Sequence, residues 1–150
     1  MKIFIDGDGC PVKGLIEDIA KRYAIKVVLV TSIAYFTSRQ YKSFEIIMVD
    51  NVPQAADMAI INRVKEGDIV VTQDFGLASV VLSKKAMAIS FTGRIYETEK
   101  MDTMLFQRYL TQKIKRGGGS IKGPPKRTRL DDERFEKNLI KLITRGKISL

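Results

Sequence analysis

Residues 68–90 read DIVVTQDFGLASVVLSKKAMAIS, and this stretch decides the fold. Asp68–Thr72 is a β-branched run of strand length, and Gln73-Asp74 breaks it. Leu77, Val80, Val81 and Leu82 then fall at helical spacing, with Asp74 placed to cap the helix. Ala86–Ser90 is a weaker strand. Two strands joined through one helix lie parallel in the same sheet.

The same alternation holds on either side. Lys2–Ile5 is an apolar strand that ends at Asp6. Pro11 suits the first turn of a helix carried by Val12, Leu15, Ile16, Ile19, Ala20 and Tyr23. Lys26–Val30 and Glu45–Val49 are strands, separated by a mixed, polar loop over 33–44. Pro53 opens a helix to about Lys65, with Ala56, Ile60, Ile61 and Val64 on one face and Gly67 closing it. These elements predict a three-layer α/β/α domain around a mostly parallel five-stranded sheet.

After Gly93 the pattern changes. Met104, Leu105, Tyr109 and Leu110 support a helix over 101–115. The following KRGGGSIKGPPKRTR is basic and rich in Gly and Pro, so it is no core element. An amphipathic helix over Asp131–Thr144 uses Phe135, Leu139, Ile140 and Leu142. The expected division is 1–112 as the α/β domain, 113–130 as the basic segment, and 131–150 as a C-terminal helix packing on that domain.

The chain has 150 residues, 45% hydrophobic and 29% charged, as a single soluble domain requires. It has no histidine and one cysteine. That excludes an internal disulfide, a Cys/His zinc site, and any triad or dyad that needs imidazole. No run is long enough for a membrane span and no signal-peptide pattern opens the chain, so a cytoplasmic location is expected.

The net charge of +9 is uneven. Residues 1–107 hold 13 Lys and Arg against 13 Asp and Glu, whereas 108–150 hold 13 against 4. The excess in the last third suggests a polyanion, nucleic acid before membrane. The alternative is a basic tail that aids solubility or contacts the protein's own acidic surface.

Ligands of open parallel sheets gather beyond the carboxyl ends of the strands. Asp6 and Asp8 follow the first strand, Asp57 lies early in the helix after the third, and Asp74 follows the fourth. Asp50 is on the same side and is held in reserve, while Glu66 and Asp68 fall at the opposite edge. Carboxylates gathered without a basic partner repel one another, and a divalent cation with oxygen ligands, Mg²⁺ or Mn²⁺, relieves this. Taken singly, Asp74 is also explained as a helix cap and Asp57 as a solvated helix residue. Cys10, beside a helix N-terminus, is either a reactive thiol or a small packing residue. Gly7 and Gly9 suit a tight turn.

DGDGCPVK, QAADMAII, GDIVVTQDFGLA, FTGRIY and KRGGGSIKGPPK, in that order, resemble the YaiI/YqxD family of uncharacterised bacterial proteins. The likeness runs from residue 3 nearly to the end. That family is similar to PIN-like domains, whose nuclease members bind Mg²⁺ or Mn²⁺ through acidic residues at the carboxyl edge of a parallel sheet. The resemblance therefore implies roles for Asp6, Asp8, Asp57 and Asp74. It also implies an acidic residue where Gln54 stands, which thins the expected set.

Three functions are open at this point. The first is a Mg²⁺- or Mn²⁺-dependent nuclease acting on RNA or single-stranded nucleic acid. Asp6, Asp8, Asp57 and Asp74 would be its ligands, with the backbone held by Lys13, Arg39, Lys113, Lys115, Arg116, Lys122, Lys126 and Arg127. Tyr35, Phe36 and Tyr41 are candidates for base stacking. The second is a nucleic-acid-binding protein without catalysis, relying on the basic C-terminal region. The third is a haloacid-dehalogenase-like phosphatase with Asp6 as nucleophile and Asp8 as acid. Cys10 stands where that chemistry expects Thr or Ser, and Thr31-Ser32 is the only obvious substitute. A homodimer is compatible with all three.

Overall fold

The computed structural model describes residues 1–32, 43–118 and 126–148, with Lys115 described in its backbone alone. The order is β1 (Lys2–Asp6), α1 (Lys13–Tyr23), β2 (Lys26–Ser32), β3 (Phe44–Val49), α2 (Ala55–Ile61), β4 (Ile69–Val71), α3 (Phe75–Ser83), β5 (Met87–Ile89), β6 (Ile95–Tyr96), α4 (Met101–Arg116) and α5 (Arg129–Ile148). The strands lie in the order β3-β2-β1-β4-β5-β6. Every pair is parallel except β5–β6.

Each central strand is apolar on both sides and sends alternate residues to opposite layers. Ile3, Ile5, Val27, Leu29, Ile69 and Val71 meet α1 and α5 through Ile16, Ile19, Phe135, Leu139, Leu142 and Ile143. Phe4, Val28, Val30 and Val70 face the other way, onto α2 and α3 through Ala59, Ile60, Leu77, Ala78 and Val81. The architecture is therefore α/β/α, with the C-terminal helix completing one outer layer.

The sheet has six strands rather than five. β6 is two residues long, too short for any periodicity to register. It is formed by a reversal at Gly93, where Ser90 N–H bonds Arg94 O at 2.9 Å and Gly93 N–H bonds Ser90 O at 3.1 Å. Gly93 has φ +89°, and a Cβ there would meet the backbone of Phe135 at 2.5 Å, so the turn lies directly on α5. Helix α2 is shorter than the apolar spacing suggested, ending at Ile61 with Asn62 as its C-cap, while Val64 is buried outside it.

The first loop is set by a close approach. Gly7 N–H bonds Val30 O at 2.8 Å, and a Cβ on Gly7 would meet Leu29 Cδ1 at 2.5 Å. This extends the β1–β2 pairing one residue past Asp6 and turns Asp8 back over the end of β2.

Candidate active site

Asp6, Asp8, Asp57 and Asp74 line one cleft of about 420 Å³ at the carboxyl edge of the sheet, together with Ser32, Asp50, Asn51 and Gln54. Among the described residues, no Lys or Arg lines it. The cleft forms where chain leaves β1, β3 and β4 on the same side, a consequence of parallel pairing.

Three of the carboxylates are held by neutral donors. Thr72 Oγ1 donates to Asp6 Oδ2 at 2.8 Å. Thr31 Oγ1 and Ser32 N–H donate to Asp8 Oδ1 at 3.1 and 2.9 Å. Asp74 caps α3, accepting Leu77 N–H at 3.0 Å, and its own N–H is received by Thr72 Oγ1 at 2.9 Å. Asp74 thus serves as cap and cleft residue together. Asp57, in the first turn of α2, has no such holder. Burial pushes its pKa up to about 6, aided by the Asp74 and Asp6 charges and a carboxyl-to-carboxyl hydrogen bond with Asp74. Asp6 is raised as well, first by burial, against the lowering effect of Thr72.

Ser32 is 2% exposed, and among the described residues its Oγ has no hydrogen-bond partner. A buried hydroxyl left unpaired is a cost that most folds avoid, and this one belongs to the cleft lining. The donor set, carboxylate and hydroxyl oxygens with no cationic side chain among the described residues, fits a hard cation chemically. Among the described residues, no three acidic, cysteine or histidine side chains converge tightly enough to enclose a metal as they stand. Asp6, Asp8 and Asp74 are each held by a separate donor, and the Asp57 carboxyl hydrogen-bonds that of Asp74.

The remaining candidates fall elsewhere. Asp68, at the opposite edge, is a structural acceptor for Lys2 N–H at 2.9 Å and Lys65 N–H at 2.8 Å. Cys10 is buried in the core with its thiol pushed up to about 11 by burial, which makes it a neutral packing group. Arg127 spends its guanidinium on Asp132 Oδ1 at 2.8 Å and Phe91 O at 2.5 Å. Lys13 is half-buried at the start of α1, whereas Lys113, Arg116 and Lys126 are exposed. Arg39, Lys122, Tyr35, Phe36 and Tyr41 lie outside the described residues, as does the Lys115 side chain. Sequence reasoning missed Thr72 and Thr31 as the holders of Asp6 and Asp8, because a Thr at a strand end reads first as a β-former.

A family model described as "Uncharacterized BCR, YaiI/YqxD family" matches residues 4–145. The chain belongs to the YaiI/YqxD family. Its relatives in that family include a UPF0178 protein of Clostridium kluyveri, 45% identical and aligned over 99% of this chain and 96% of the relative. Another, from Clostridium perfringens, is 43% identical over 100% and 99%. A third, from Alkaliphilus metalliredigens, is 44% identical over 93% and 89%. The crystal structure of Rae1 (YacP) from Bacillus subtilis aligns over 100% of both chains at 14% identity, with a TM-score of 0.43. For this YaiI/YqxD chain, the mostly parallel sheet between helical layers is the fold that the sequence resemblance implies. Among the described residues, no helix is long and apolar enough to cross a membrane.

Proposed function

We propose that the protein is a Mg²⁺- or Mn²⁺-dependent nuclease that cleaves RNA or another single-stranded nucleic acid at the acidic cleft. The observation that carries this reading is the Asp57–Asp74 pair, two carboxyls sharing a cleft with Asp6 and Asp8 and, among the described residues, no cationic side chain. Such a set is electrostatically incomplete at neutral pH, and a divalent cation is the complement its oxygens select.

Asp6, Asp57 and Asp74 are the ligands in this reading, with Asp8 and the unpartnered Ser32 hydroxyl completing the oxygen lining. When bound, the cation supplies an activated water and charge neutralisation on the phosphodiester, chemistry that needs no histidine. The chain's own contribution is rigidity. Thr72 fixes Asp6 and Thr31 fixes Asp8, while the α3 cap fixes Asp74. Asp57 would hold the cation in its ionised form, which the cation's charge would favour.

The test is cleavage of single-stranded RNA by purified protein with Mn²⁺, alongside Asp6→Asn and Asp74→Asn. Activity in the wild type and its loss in both variants is expected. Cleavage that persists in both would sink the assignment.

A further inference from the structure

Helix α4 is anchored mainly at its N-terminal half, where Met101 and Met104 pack against the α2/α3 side of the core. None of its described side chains is buried. Its outward face carries Leu105, Phe106 and Tyr109, 52%, 59% and 55% exposed, beside a shallow cavity of about 520 Å³. Amphipathic surface helices normally turn such residues inward. Here the large apolar side chains point to solvent.

Phe106, Tyr109, Lys113 and Arg116 follow one another at intervals of three, four and three residues, so they form one stripe about 15 Å long. The stripe runs from two aromatic rings to two cations. Among the described residues, Arg108, Lys113 and Arg116 make no salt bridge. Arg108 lines the same cavity. Tyr96 hydroxyl donates to Thr72 O at 3.1 Å, and both Asp74 and Arg108 act electrostatically on that hydroxyl.

We propose that this face of α4 is a platform for single-stranded nucleic acid, with bases stacking on Phe106 and Tyr109 and phosphates held by Lys113, Arg116 and Arg108. It rests on the nuclease reading for its ligand class, and it assigns a strand path that no feature of the cleft supplies. Charge selects this occupant over a second copy of the chain. The helix holds four cations, Arg108, Lys113, Lys115 and Arg116, against one acid, Asp102. Pairing two such helices sets like charges together, whereas a polyanion neutralises them. Aromatic faces interleaved with cations are also the composition that stacks bases without reading sequence.

The test is fluorescence anisotropy of a labelled, unstructured RNA oligonucleotide titrated with the full chain in EDTA. The variants are Phe106→Ala, Phe106→Leu, Tyr109→Ala and Arg108→Glu, with far-UV circular dichroism confirming the fold. Each aromatic-to-alanine change is expected to weaken binding about tenfold, and Phe106→Leu to weaken it as much as Phe106→Ala. Leucine keeps an apolar contact but cannot stack. Wild-type affinity in the Phe106 variants, or no RNA binding by the wild type, would overturn the platform. So would a wild-type dimer in sedimentation that Phe106→Ala splits and Phe106→Leu preserves. Cleavage with Mn²⁺ is read separately: a wild type that cleaves while the Phe106 variants bind normally keeps the cleft and removes the platform. RNA bound through α4 without cleavage does the reverse.

Discussion

Thr72 joins two strand-end acids through one oxygen: its hydroxyl donates to Asp6 Oδ2 at 2.8 Å and accepts Asp74 N–H at 2.9 Å. Thr72→Val keeps the shape and removes both bonds. Asp6, already raised by burial, loses the interaction that lowers it. The expected result is a destabilisation of about 1–3 kcal/mol, read from urea unfolding, with Mn²⁺ affinity reduced by calorimetry. Unchanged values in both measurements would mean Thr72 holds nothing that matters.

Stability should fall as pH rises from about 4 to about 6. Asp57, ordinarily near 3.8, is raised by burial to about 6 in the folded chain. Between those values the native state binds more protons than the unfolded state, so unfolding becomes easier with rising pH, and the loss is complete above the folded value. Melting temperatures across pH 4–7.5 without divalent ions check the sign. Mn²⁺ should restore stability at pH 7.5, because it binds only the native arrangement. Asp57→Asn should flatten the profile, raise the melting temperature at pH 7.5, and abolish the response to Mn²⁺.

Gln54 stands at the cleft with φ +67°, a left-handed conformation that an ordinary residue holds only under strain. Gln54→Glu adds a carboxylate to the lining. We expect tighter Mn²⁺ binding, by about tenfold on the calorimetric isotherm, together with lower stability in EDTA from added repulsion. Gln54→Gly should raise stability and leave metal affinity near the wild-type value.

Asp74 separates its two tasks by substitution. Asn keeps a side-chain oxygen for Leu77 N–H and Ala does not. Asp74→Ala should cost about 1 kcal/mol of stability, measured by denaturant, while Asp74→Asn should cost much less. Both should lose Mn²⁺-dependent cleavage. Equal stability of the two variants would mean that the cap contributes nothing.

Much of this was written in the spacing of apolar residues. Once the strands were parallel, Asp6, Asp8, Asp57 and Asp74 had to leave the sheet on one side, and they do line one cleft. Asp68 was correctly set apart because it precedes its strand, and it is engaged by Lys2 and Lys65 N–H groups instead. What spacing cannot show is which neighbour holds which acid. Thr72 and Thr31 act across strands, through registers that emerge only when β1 lies between β2 and β4. Helix α4 was legible as a helix, but its direction was not. The same apolar positions that imply burial in a periodic reading are half-exposed, because the sheet's outer layers are already filled by α1, α2, α3 and α5. β6 needed the Gly93 turn on α5, a contact between positions far apart in the chain.

That last contact has a consequence for biosynthesis. Arg127, Arg134 and Asn138 donate to the carbonyls of Phe91, Thr92 and Gly93 in succession, and Phe135, Leu139, Leu142 and Ile143 are fully buried on the sheet. A chain emerging from the ribosome N-terminus first has every strand in hand by residue 96, yet one face of its sheet stays half bare until residues 135–143 follow. Its window of exposure to aggregation, or to chaperones, is set by the arrival of α5 rather than by the pairing of strands. Truncation at residue 112 should leave an insoluble sheet, not a smaller folded domain.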